Sequence, residues 1–420
     1  MSREARKKRD PIVKPVKSIE VSDEKRKPKL ILIVILLALG VSLIVWAVSS
    51  YLTVPAGWET IQVNTDLEET CAGDFVFQYL LGDGEQAANR EKVAIAEIYT
   101  DATKTAFQIF HESRLFDGVH NVAYLNQHVN EEVEVPEVLY HAFALLEKYD
   151  NKALYLAPIY REYVGMFVSD EDWVAKDYDP DQDEEQAAYF AEVLAFTTDE
   201  NTVKLELLGN NKVKLSVSSE YQQYAKNHEI TNFIDFYWMK NAFIVDYLAE
   251  QLTNAGYTKG SISSFDGFSR NMDTADRRYQ LNIFDRVDQS IYQAGVLNYT
   301  GSLSMVSLRN YPTSSLAVQQ YHQWDDGRYT SCHIDPVDGR SKSSINDLVG
   351  YGQDIACSEI LLKLYPVYVT DVFDEGDLET ITDVDTIYCI DHTIYTSGAA
   401  AEITQLYKKG NIEYTWKKAE

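Results

Sequence analysis

Asp354 and Ser358 offer two oxygen donors four residues apart. On a helix that spacing puts both on one face, where they could serve a hard divalent cation such as Mg²⁺; an ordinary polar helix face is the competing reading. Asp170 to Glu185 holds nine acids in sixteen residues, with Asp177, Asp179, Asp181 and Asp183 alternating as calcium ligands do. A calcium loop also needs a glycine at its sharp turn and a closing glutamate. Gln182 and Ala188 stand at those positions, so the stretch is expected to be a solvated loop. Hydrolytic chemistry has little to work with. His111, His120 and His128 lack HExxH spacing, His392 beside Asp391 has no nucleophile motif near it, and no GxSxG occurs. Cys71, Cys332, Cys357 and Cys389 include no CxxC pair, which argues against a cysteine-rich zinc module or a disulfide scaffold.

The body that must position such groups has 420 residues, 45% of them apolar and 25% charged, enough for a real core. Its 38 Lys/Arg against 65 Asp/Glu leave a net charge of −27, which argues against a nucleic-acid partner, since phosphate contacts need clustered cations. The charge is uneven. Residues 1–29 carry 11 Lys/Arg and 5 Asp/Glu, a net of +6, and then Leu30 to Val48 runs without one charge. At about 1.5 Å per residue that stretch reaches about 28 Å, close to the hydrocarbon thickness. A cleaved signal peptide would have a shorter apolar region, and a buried core helix would show a polar stripe. A single-pass transmembrane helix over 30–48 is therefore expected in the plasma membrane. The basic tail 1–29 would be cytoplasmic, and a globular domain from 59 to 420 would be extracytoplasmic.

Within that domain, Ala87 to Phe116 has helical spacing, a second amphipathic helix is expected near Pro136–Tyr149, and the strongest runs from about Phe236 to Ala255, stopped by Gly256. Thr202–Leu207 and Lys212–Val217 read as strands joined by a Gly209-Asn210-Asn211 turn, and Tyr279–Phe284 and Ser302–Leu308 alternate as strands do. Helices and strands mix without strict alternation, so the class is α+β.

Five segments, in order, resemble the FAD:protein FMN transferase family, the ApbE-like flavin transferases. They are Arg114–Asn126; Ile234–Gly256, against the family's Asp-Leu-Gly…Ala-Lys-Gly-Tyr…Asp helix; Ser261–Phe268, against Asn-x-Gly-Gly; Asp326–Gly339, against His-Ile-x-Asp-Pro-x-Thr-Gly; and Gly352–Leu362, against Ala-Asp-x-x-x-Thr. The resemblance implies an extracytoplasmic α+β fold that binds FAD and Mg²⁺. It also implies transfer of FMN from FAD to a Thr or Ser hydroxyl of a flavin-acceptor or other envelope protein, with release of AMP. That chemistry needs a metal to neutralise pyrophosphate charge and a group to help deprotonate the hydroxyl.

Carried over residue by residue, the resemblance makes Asp354 and Ser358 the metal ligands, with Asn126, Lys240, Asn241, Asp266, Gly267 and Asp335 around the flavin nucleotide and His333 as the catalytic residue. Several positions depart from the pattern. Asn241 stands at the family's lysine, with Lys240 one step away and about 100° around the helix. Asp266 replaces the first glycine of Gly-Gly. Cys332 stands three residues before Asp335, where the family has His, and His333 follows on the opposite face of an extended strand. Two functions follow: a divergent transferase, or a non-catalytic envelope protein that keeps the fold for flavin binding or partner docking.

Overall fold

The computed structural model describes residues 26–52, 55–84, 87–398 and 402–418. It divides into two compact units, Met1–Val54 and Pro55–Glu420. In the first, helix α1 (Arg26–Leu52) contains the whole apolar stretch, and its leucines, isoleucines and valines from Leu30 to Ile44 are exposed. Among the described residues no helix is long and apolar enough to cross a membrane. The side chains described in α1 span residues 30–44, about 22 Å of helix. The basic tail lies outside the described residues as far as position 25.

The second unit is built on a nine-stranded sheet whose spatial order follows the chain: β1 (Gly57–Ile61), β2 (Phe75–Leu81), β3 (Gly260–Ser264), β4 (Phe268–Asn271), β5 (Leu303–Arg309), β6 (Asp347–Gly352), β7 (Asp385–Ile390), β8 (Thr393–Thr396) and β9 (Thr415–Lys418). All neighbours are antiparallel except β8 and β9. Everything else is inserted between these strands. Between β2 and β3 come α2 (Ala88–Phe110), several shorter helices, a small sheet that includes the hairpin Val203–Gly209/Lys212–Val217, and α3 (Lys240–Asn254). A long hairpin, Arg278–Val287 with Ser290–Thr300, separates β4 from β5, and α4 (Cys357–Tyr368) separates β6 from β7.

The packing follows from the pattern. In β2, Phe75, Phe77, Tyr79 and Leu81 alternate inward. In α2, Ile95, Ala102, Ala106 and Ile109 are buried as expected, while Val93 is exposed. Helix α3 packs on β3 and β4 and against α2 and α4, and α4 lies on β5 and β6. Ile283, Ala294 and Leu297 of the long hairpin join Met305, Val349 and Ile387 in one buried cluster. The mixed architecture is the α+β class expected. All four cysteines are buried free thiols. The acidic stretch is not the bare solvated loop expected: Asp179 is buried, and its carboxylate accepts Asp181 N–H and Gln182 Nε2–H at 2.9 and 2.8 Å.

Candidate functional site

Two of the expected site residues meet. Asn241 sits in the first turn of α3 and Asp266 in the turn between β3 and β4, and Asn241 Nδ2 donates to Asp266 Oδ2 at 2.8 Å. The turn is held in place by its glycine. Gly267 has φ +107°, its carbonyl accepts Ser307 N–H at 2.9 Å, and an added Cβ would collide with the Ser307 carbonyl oxygen. Gln320 Nε2 also donates to Asp266 Oδ2, at 3.4 Å, and the Cys332 thiol donates to Gln320 Oε1 at 3.7 Å. Burial pushes the Asp266 carboxyl up to about 6, with Asp74 adding to the rise and the polar neighbours Ser264, Asn241 and Gln320 favouring its charged form. The four side chains Asn241, Asp266, Gln320 and Cys332 therefore close on one another.

Lys240 points elsewhere, as its rotation around the helix requires. Its ammonium lines a cavity of about 260 Å³ with Cys71, Asp74, Phe107, His111 and Glu112. Burial disfavours its charge, yet Glu112, Asp235 and Asp74 together raise its pKa. Just before α3, Asp235 Oδ1 accepts Tyr237 N–H at 2.8 Å, and burial with Glu112 nearby pushes the Asp235 carboxyl up to about 6. Tyr237 stands at the glycine of the resembled Asp-Leu-Gly and has φ +42°, a left-handed backbone that suits glycine far better than tyrosine. Its ring stacks on Tyr160 with centroids 4.7 Å apart.

The other expected residues do not join this cluster. His333 is turned into the core, edge-on to Trp238 at 4.8 Å and Tyr368 at 5.1 Å, and burial drives its pKa down to about 3. A histidine so held stays neutral and out of the site, which corrects its assignment as the catalytic residue. Asn126 spends its whole amide on the main chain: Nδ2 donates to Ile234 O at 3.0 Å, and Oδ1 accepts the N–H groups of Phe233 and Ile234. It clamps a loop with both ends of its amide. Asp335 accepts Val337 N–H and pairs with Lys342, which also reaches Asp338 and Asp371. It holds its own turn together.

The magnesium expectation fails on geometry. Helix α4 begins at Cys357, after an extended Ala356, so Asp354 precedes the helix and is exposed, while Ser358 is buried in the first turn. The one-face argument for the pair does not apply, and among the described residues no three His, Cys, Asp or Glu side chains gather to hold a metal ion. The residues present do not fit the Mg²⁺ implied by the resemblance. Sequence reasoning missed Gln320 and Asp74 as neighbours of Asp266, and no local pattern marks either one.

Comparison with solved structures agrees with this architecture. Flavin Transferase ApbE from Vibrio cholerae superposes with TM-score 0.52 at 14% identity, covering 84% of this chain and 98% of that one. The ApbE protein of Thermotoga maritima gives TM-score 0.51 at 14% identity, covering 74% and 90%. No family model matches the chain, and neither does any curated protein. The chain therefore has the ApbE flavin-transferase fold, at an identity where likeness establishes fold alone.

Proposed function

We propose that this chain is a membrane-tethered, extracytoplasmic protein of the flavin-transferase fold that no longer transfers FMN and keeps the scaffold for docking an envelope partner. The observation that supports this is the Asn241–Asp266 contact. The residues at the resembled lysine and first Gly-Gly positions bond to each other, where a transferase needs donors facing a diphosphate. A carboxyl bonded to Asn241 leaves no free donor pair for a diphosphate there, and Asp74, Glu112 and Asp235 surround the Lys240 ammonium. The tether rests on the uncharged run Leu30 to Val48 behind the cationic Lys25–Lys29 cluster.

The test is direct. The full chain in detergent is incubated with FAD, Mg²⁺ and an acceptor domain that an ApbE transferase modifies, beside that transferase as control. We expect no covalent flavin fluorescence on a denaturing gel and no heat of FAD binding by calorimetry. Transfer overturns the proposal, and FAD binding without transfer replaces docking with a flavin-binding role. Combining Asn241→Lys, Asp266→Gly and Cys332→His asks the converse question, whether the scaffold still supports the chemistry once its groups are restored.

A further inference from the structure

Asn241 and Asp266 are joined at one point, Nδ2 to Oδ2, and each keeps a second oxygen that is buried with no hydrogen-bond partner among the described residues: Asn241 Oδ1 and Asp266 Oδ1. Native proteins rarely leave buried acceptors empty, and here both belong to one bonded pair. Two acceptors cannot satisfy each other. A single proton resolves both deficits, because on Asp266 Oδ1 it turns the carboxyl into a donor toward Asn241 Oδ1. The result is the cyclic two-bond pair of a carboxylic acid and a primary amide.

We propose that at mildly acidic pH Asp266 carries a proton in the folded protein and that this proton is a latch, tying the β3–β4 turn to the first turn of α3 through two hydrogen bonds and holding the cluster with Gln320 and Cys332 shut. When the proton leaves, one of the two bonds is lost and a carboxylate oxygen is set against an amide oxygen, so the first turn of α3 loosens from the turn. The rest of the surroundings fit. The titratable groups facing Asp266 are Asp74, ahead of β2, the Cys332 thiol, and the Tyr321 hydroxyl from the strand Tyr321–Gln323. Burial raises both the Cys332 and Tyr321 pKa values, which keeps those groups neutral, so neither supplies the positive charge a carboxylate would need. Lys240, next along α3, faces Asp74, Glu112 and Asp235. The Asp266 carboxyl, pushed up to about 6 by burial, lies in the range where a rise from mildly acidic to neutral pH empties the latch.

The proposal depends on the functional reading only in treating these four side chains as the site. Its test involves no flavin, so the two can fail separately. In the full chain in detergent, carboxyl-labelled aspartate followed by NMR or infrared spectroscopy should show, beside the signal of Asp235, an acid signal that titrates near 6 and is absent from Asp266→Asn. Hydrogen exchange in segments 262–268 and 239–245, corrected for intrinsic pH dependence, should accelerate by up to about tenfold per pH unit between about pH 4 and that midpoint and level off above it. The exchange of Asp266→Asn, whose amide donates at every pH, should stay flat. If that variant does not fold, the wild-type carboxyl titration and exchange decide alone. An Asp266 carboxyl already ionised by about pH 5, or exchange in both segments that is indifferent to pH, overturns the latch.

Discussion

Asp246 and Ser358 are bound across two helices: Asp246 Oδ2, on α3, accepts the Ser358 backbone N–H at 2.8 Å, and Oδ1 accepts that of Cys357 at the same distance. A carboxylate on one helix thus closes the N-terminus of the next, satisfying two of its open donors and complementing its positive end. The same pairing commits Ser358 to structure, since its buried first-turn position is the one the cap anchors.

Asp246→Ala should therefore leave two buried N–H groups open and lower stability by about 2 kcal/mol, while Asp246→Asn, which keeps one acceptor, should lose less. Urea midpoints for the two variants test the ranking. Equal losses would mean that the cap contributes through packing.

Gly267→Ala should cost at least about 2 kcal/mol, because it adds a Cβ against the Ser307 carbonyl at a left-handed position. Thermal melting or soluble yield will read this. A neutral result would mean that the β3–β4 turn can shift away from β5.

His333 makes the fold acid-sensitive. Its folded pKa of about 3 lies below the ordinary 6.5, so the unfolded chain takes up the proton first. The stability from the neutral ring is fully present above pH 6.5 and is lost as the pH falls toward 3. Relative to His333→Leu, wild type should lose about 1.4 kcal/mol per pH unit across that window.

Asp235 acts with the opposite sign. Its carboxyl is raised from 3.8 to about 6, so the folded chain holds the proton more tightly. That contribution is present below pH 3.8 and lost as the pH rises through 6. Relative to Asp235→Asn, wild type should weaken by up to about 3 kcal/mol between pH 4 and 7. Denaturation at stepped pH separates the two slopes.

The proposed tether predicts that the protein stays with membranes through an alkaline carbonate wash. Arginine at the centre of a spanning helix costs about 2.5–3.5 kcal/mol, so Ile35→Arg with Leu39→Arg should abolish insertion. Unchanged partition of that double variant would rule out a spanning α1.

How much could be read from the residues depended on whether the relevant geometry was local. Helix α2, the hairpin Val203–Gly209/Lys212–Val217 and most of α3 were legible because burial there follows period 3.6 or 2 along one segment. The nine-stranded sheet was not, since β2 pairs with β3 only across the long insertion that carries α2 and α3, and β5 with β6 across another. The Asn241–Asp266 contact was legible only through motif order. The helical-phase argument for Asp354 and Ser358 failed at a helix boundary, because Asp354 precedes α4, and the helix expected from about Phe236 begins at Lys240, after the short 3₁₀ turn Tyr237–Met239. Cys332 and His333 do point apart, Cys332 to Gln320 and His333 to Trp238, but both lie past the end of the strand Tyr329–Ser331 rather than within one.

The four cysteines carry one last consequence. Each is a buried lone thiol, so the body is assembled without a covalent staple. Maturation of such a body calls for no oxidising foldase or disulfide isomerase, and added reductant leaves its melting point where it was. The globular part would assemble as readily in a reducing compartment as in an oxidising one.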